Sequence, residues 1–222
     1  MTALLRMTWP PAFFFTPVIR GWGDSTFNGA GSGNAAANIR SYLASQFSRP
    51  VHVVNQGNGG DPGPAVVARF LARDRAAEDV IDILFFGRSG YNPGGADAYL
   101  AALHQCWDDR DSDRLLLCQV SPGATPAERE IGGEQAAINA ALRAAIFAEF
   151  PAENIIDTMT PMWDAAEADP GATPDDLNAR AAGCVPLMFI NTSDGWIHRL
   201  PTGQFIEAKA MADKIKARGW IA

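Results

Sequence analysis

The chain has 222 residues, 47% of them hydrophobic and 19% charged, which suffices for one sizeable core and is short for two, so a single domain spanning 1–222 is expected. Eighteen Lys and Arg stand against 25 Asp and Glu, a formal net charge of −7; this leaves no basic footprint for nucleic acid or an anionic membrane surface. Three cysteines, Cys106, Cys118 and Cys184, cannot all pair within one chain, and their spacing resembles no disulfide framework.

The N-terminal stretch MTALLRMTWPPAFFF carries Arg6 and several apolar residues, but Pro10 and Pro11 interrupt it and no small-residue cleavage site follows. No signal peptide is expected, and with reduced thiols this suits a cytoplasmic protein. No apolar run reaches the roughly 18 residues that a membrane span needs.

Five apolar runs then read as strands in chain order: Val18 to Trp22, Val51 to Val54, Val80 to Phe86, Leu115 to Val120, and Asn154 to Asp157. Pro17 should mark the start of the first, since it cannot donate to a ladder. Between the runs, apolar residues recur at helical spacing: Ile39, Leu43 and Phe47; Val66, Val67, Phe70 and Leu71; Leu100, Leu103 and Trp107; Ile138, Leu142 and Ile146. A last helix is expected over Phe205 to Arg218, with Pro201 near its start and Gly219 just beyond its end. Gly132 and Gly133 should split the fourth connection. The run CVPLMFINTSDGWIH is assigned to neither strand nor loop. Strands alternating with helices indicate an α/β domain with a parallel sheet covered on both faces.

In such a sheet, ligands bind outside the carboxyl ends of the strands. That rim gathers GDS (Gly23 to Ser25) after strand one, NQGNGGD after strand two and GRSGYN after strand three. A nucleotide site does not fit them: GAGSGN has the wrong spacing for G-x-G-x-x-G, GWGDST lacks a third glycine, and no P-loop motif occurs. His104 and Cys106 are two apart and would point to different sides of a helix, so no metal site is expected there. Gly-Asp-Ser alone is as good a turn as it is a nucleophile. Near the other end of the chain, SDGWIHRLPTG offers Asp194 and His198 together in a polar loop before the last helix. A carboxylate beside an imidazole is what activates a serine, His198 taking the hydroxyl proton and Asp194 holding the ring's tautomer.

Together these segments resemble the SGNH hydrolases, also known as the GDSL esterase and lipase family. GDST matches the family's first block with Ser25 as nucleophile, NQGNGGD is similar to its second, and DGWIHRLPTG followed by a helix resembles its fifth. The order of the blocks covers nearly the whole chain. The resemblance implies a flavodoxin-like three-layer α/β/α sandwich with a five-stranded, mainly parallel sheet. It implies hydrolysis of small or short-acyl esters, such as O-acetyl groups on carbohydrates, through an acyl-enzyme, with no cofactor or metal. The Gly60 amide would join the Ser25 amide in the oxyanion hole. Two departures stand out. The family's third block, G-x-N-D or G-R-N-N, supplies an oxyanion asparagine; here GRSG puts Ser89 in that place, and Asn92 is the alternative donor. The family also spaces its acid and histidine as D-x-x-H, whereas Asp194 and His198 have one more residue between them, which asks for a bulged loop or another carboxylate. Phe13 to Phe15 and Trp22 would line an acyl pocket or belong to the core. Two other functions use the same scaffold: an acyltransferase with the same acyl-enzyme, and a non-catalytic binding module.

Overall fold

The computed structural model describes residues 16–25, 27, 38–74, 80–87 and 95–222. Strands β1 (Val18–Gly23), β2 (His52–Gly57), β3 (Val80–Phe85), β4 (Leu115–Cys118) and β5 (Ile155–Ile156) form one sheet in the order β2-β1-β3-β4-β5. Every pairing is parallel, and the order is that of the flavodoxin-like doubly wound sheet. The register of β1 against β3 sets Arg20 opposite Asp82. Arg20 Nε and Nη2 each donate to the Asp82 carboxylate at 2.8 Å. A slip of one residue would send the two side chains to opposite faces, so this pair fixes the register.

The described residues contain eight α-helices: α1 (Ile39–Ser45), α2 (Gly63–Leu71), α3 (Gly95–Asp108), α4 (Pro126–Arg129), α5 (Glu134–Glu149), α6 (Met159–Ala168), α7 (Pro174–Ala182) and α8 (Pro201–Ala217). Side chains alternate across each strand. Ile81, Ile83 and Phe85 of β3 join Leu116 and Cys118 of β4 under α1 and α8. On the other face Trp22, Leu84, Leu115 and Leu117 pack beneath α2, α3 and α5. The layers are therefore helix, sheet, helix. The first helix is started by Asn38, whose side chain accepts from the amides of Arg40 and Ser41 while the Ser41 hydroxyl accepts from its own N–H, a capping box.

The structure corrects the last strand and fills two stretches that the sequence left without an element. The last strand is only Ile155–Ile156, because the polar residues that flank it serve other groups. Asn154 donates to the carbonyls of Leu115 and Asp113, and Asp157 accepts from the amides of Met159 and Thr160; such short polar side chains draw backbone out of a ladder. Helices α6 and α7 have no counterpart among the sequence expectations. They build a third cluster with Met162, Trp163, Ala179, Val185 and Phe189 beyond β5. The unassigned run CVPLMFINTSDGWIH folds as two single turns of 3-10 helix, Leu187–Phe189 and Thr192–Asp194, joined to the chain ahead of α8 by an antiparallel bridge of Ile190 with Arg199. Glycine does split the fourth connection, between α4 and α5. No helix among the described residues is long and apolar enough to cross a membrane.

Candidate active site

The site begins where β1 ends. Gly23 closes the strand, Asp24 is buried, and Ser25 follows in a turn at the carboxyl edge of the sheet. Phe27, fully buried, lays its ring against Gly21 on the α1/α8 face. This contact anchors the far side of the turn to the core.

The β2–α2 loop is tied to the same strand end. Asn58 N–H donates to the Gly23 carbonyl at 3.1 Å, and Arg69 of α2 donates to the carbonyls of both Gly23 and Gln56 at 3.0 Å while pairing with Asp61. Within the loop Asp61 N–H returns to the Asn58 carbonyl at 3.3 Å. Gly60 takes φ of +79° in that turn, as the third residue of a type II turn requires. Gly59 is the residue that faces the serine: a methyl group there would lie 3.7 Å from Ser25 Cβ, whereas one on Gly60 would meet nothing within 4 Å. The sequence reading singled out Gly60 and missed Gly59. Both sit in one turn, held against the Ser25 strand end by Arg69.

The third component comes from the loop before α8. His198 Nε2 lies 2.9 Å from Ser25 Oγ, and His198 Nδ1 lies 2.8 Å from Asp194 Oδ2. An ionised carboxylate only accepts hydrogen bonds. With Asp194 charged, Nδ1 carries the proton and Nε2 is left to accept from the Ser25 hydroxyl. The His198 and Asp194 side chains are 21% and 25% exposed, shielded yet reachable from solvent. Asp194 Oδ1 has no hydrogen-bond partner among the described residues, so the imidazole is the carboxylate's only side-chain partner there.

The extra residue between Asp194 and His198 is absorbed by a bulge. Gly195 has φ of +82° and Trp196 φ of +67°, two consecutive left-handed residues that fold the loop back so that positions four apart meet. A left-handed conformation is strained for tryptophan. Two contacts hold it: the Ala124 amide donates to the Trp196 carbonyl at 2.9 Å, and the Arg129 guanidinium lies 4.8 Å from the centre of its ring. The structure thus brings together Ser25, Asp194 and His198 and holds Gly60 in the adjoining turn. Ser89, Asn92 and Phe13 to Phe15 lie outside the described residues. Trp22 is core: it is 3% exposed, donates to Asp82 Oδ1 at 2.7 Å and meets Phe70 edge-on. Among the described residues no group of His, Cys, Asp and Glu is arranged to hold a metal ion.

No protein-family model matches the sequence, and no curated protein matches it. Solved structures do match in fold. A lipase/acylhydrolase from Enterococcus faecalis superposes with a TM-score of 0.63 at 17% identity, over 91% of this chain and 97% of that one. A member of the lipolytic protein G-D-S-L family from Veillonella parvula gives 0.57 at 14% identity, over 91% and 97%. A psychrotrophic esterase from Pseudoalteromonas sp., in a structure inhibited by monoethylphosphonate, gives 0.59 at 13% identity, over 90% and 97%. The chain has the fold of the G-D-S-L lipases and acylhydrolases across nearly its whole length.

Proposed function

We propose that this chain is a serine esterase of the SGNH (GDSL) type, one domain over residues 1–222, acting on small or short-acyl esters. One observation carries the reading: His198 bridges Ser25 and Asp194 at 2.9 and 2.8 Å, although the serine and histidine are 173 positions apart in sequence. An ordinary turn serine and a surface histidine have no reason to meet with the imidazole oriented by a carboxylate. This argues for a catalyst over a binding module.

In the mechanism that follows, His198 Nε2 removes the proton as Ser25 Oγ attacks the ester carbonyl. The imidazolium is stabilised by Asp194, and the charge of the tetrahedral intermediate falls on the former carbonyl oxygen. The Ser25 and Gly60 amides, with Ser89 or Asn92, are the proposed donors to that oxygen; losing one side-chain donor in such a hole costs on the order of 100- to 1,000-fold in kcat. His198 next gives its proton to the departing alcohol. It then activates water, which releases the carboxylic acid and restores the serine. An acyl acceptor other than water would make the same acyl-enzyme a transferase, and no observation favours that over hydrolysis.

The test is turnover of p-nitrophenyl acetate together with labelling by a phosphonate ester, a probe suggested by the inhibited esterase of the same fold. Wild-type protein should turn over the ester and take up one phosphonyl group, mapped to Ser25, and Ser25→Ala should do neither. Ester turnover that survives Ser25→Ala would remove the proposal.

A further inference from the structure

Directly behind the His198 loop lies a cluster of buried charge that the mechanism does not use. Arg199 and Glu207 are 1% and 0% exposed at their side chains, with Nε donating to Glu207 Oε1 at 3.1 Å. Arg199 Nη2 donates to the Ser121 hydroxyl, which donates in turn to Glu207 Oε1 at 3.1 Å. Arg199 Nη1 reaches back across the histidine to the Ile197 carbonyl at 2.8 Å. The cluster thus joins three parts of the chain: the loop after β4 through Ser121, α8 through Glu207, and the histidine loop through Arg199.

A buried ion pair is weak evidence for stability, because taking both charges out of water offsets much of their attraction and apolar residues of similar volume often serve as well. Its retention needs another reason. The backbone around His198 suggests one. The His198 carbonyl accepts from the Asn191 amide at 2.8 Å, the Arg199 carbonyl from Gln204 Nε2 at 3.1 Å, and the Ile197 carbonyl from the Arg199 side chain. Three consecutive carbonyls are held, and the one preceding the histidine depends on the guanidinium. The strained Trp196 lies one residue further upstream, held by Ala124 and Arg129, so an unheld Ile197 carbonyl would leave the backbone between that bulge and the histidine without a hydrogen bond to fix its orientation.

We infer that Arg199, anchored by Ser121 and Glu207, is a positioning residue that fixes the backbone of His198 so that its imidazole spans Ser25 and Asp194. The inference rests on the esterase reading for its consequence in catalysis, but its structural content is independent of it.

The experiment replaces the pair by apolar residues, Arg199→Met with Glu207→Leu, and asks three questions. Folding is checked by urea denaturation, binding and turnover by the KM and kcat for p-nitrophenyl acetate, and His198 geometry by the far-downfield NMR signal of its Nδ1 proton hydrogen-bonded to Asp194. The expected result is a folded protein in which that signal is lost and kcat falls roughly 100-fold, the scale of a misplacement of about 1 Å, while KM stays within about two-fold. Persistence of the Nδ1 signal in the folded variant overturns the inference whatever kcat does. Loss of the signal with unchanged kcat would count against His198 as base, and therefore against the esterase reading, while leaving the positional role standing. If the double variant does not fold, Arg199→Lys, which keeps the charge but cannot fork to three partners, is read by the same signal and the same two outcomes.

Discussion

Placing a methyl group at Gly21 tests how the core supports the nucleophile. On the β1 backbone, a Cβ there falls within the volume of the Phe27 ring. Carbon atoms settle at about 3.5 to 4 Å, so the ring must retreat by about 2 Å. It has nowhere to go: Phe27 is 0% exposed, and Ile19, Ile39, Leu43 and Phe85 of the same cluster are equally buried. Overpacking of this kind costs about 1 to 3 kcal/mol, and complete expulsion of a buried phenylalanine about 3 to 5. We expect Gly21→Ala to lose about 3 kcal/mol by urea denaturation. The mechanism also demands coupling. Phe27→Leu alone should cost less, and the double variant should be more stable than the sum of the two by at least about 1 kcal/mol, because the smaller side chain makes room for the methyl. Additivity within about 0.5 kcal/mol would show that the ring does not occupy the space above Gly21.

The remaining predictions concern titrating groups. Burial pushes the thiols of Cys106 and Cys184 up to about 12 and that of Cys118 well above its ordinary value; none of the three should react with a disulfide reagent at pH 8 in native protein, all three should react on unfolding, and rapid stoichiometric reaction before unfolding would contradict the burial. For Asp157, burial would raise the pKa, but the Thr160 amide and hydroxyl and the charge of Arg143 outweigh it, so its carboxyl lies below the usual range. Native protein then binds fewer protons than unfolded chain at acid pH, so Asp157 contributes stability above about pH 3.9 that is lost as pH falls through its folded value. Asp157→Asn should therefore flatten the acid limb of the stability curve, and an unchanged limb would refute the assignment. Glu207 has the opposite sign: burial raises its pKa, opposed by Arg199 and Ser121, so its contribution is fully present below about pH 4.3 and is lost as pH rises through its folded value.

Much of the fold was legible because a short continuous apolar run is a strong local signal of a strand covered on both faces. Val80 to Phe86 and Leu115 to Val120 announce buried parallel strands, and β3 and β4 follow them within two residues. The helices that escaped did so for identifiable reasons. Helix α6 buries Met159, Met162, Trp163 and Ala166, a regular i, i+3, i+4, i+7 stripe, but Pro161 reads as a breaker. It is harmless because it falls in the first turn, where backbone amides have no intrahelical acceptor. Helix α7 buries Ala179 and Ala182 and exposes its one large apolar residue, Leu177, so apolar periodicity cannot find it. Its ends are nevertheless written in the sequence, as the Thr173 and Asp176 capping box and as Gly183 at φ of +68°. For a helix packed through alanines, caps are the better guide.

The site shows the same division between chemistry and geometry. Residue types and chain order pointed to Ser25, Asp194 and His198, since a hydroxyl, a carboxylate and an imidazole near strand ends are few in this chain; it has three histidines. The spacing of the acid and the histidine could not be resolved in that way. A glycine at 195 permits one left-handed residue, but a second at Trp196 is unreadable from sequence, because tryptophan rarely adopts positive φ. Its conformation depends on partners some 70 positions away, Ala124 and Arg129, in the loop after β4 and in α4. The bulge that lets Asp194 meet His198 is therefore a tertiary property. The segment after β4, which carries none of the reacting groups, supplies Ser121 to Arg199 and the Ala124 amide to Trp196. It braces the histidine loop on both sides of the imidazole, at residues 196 and 199.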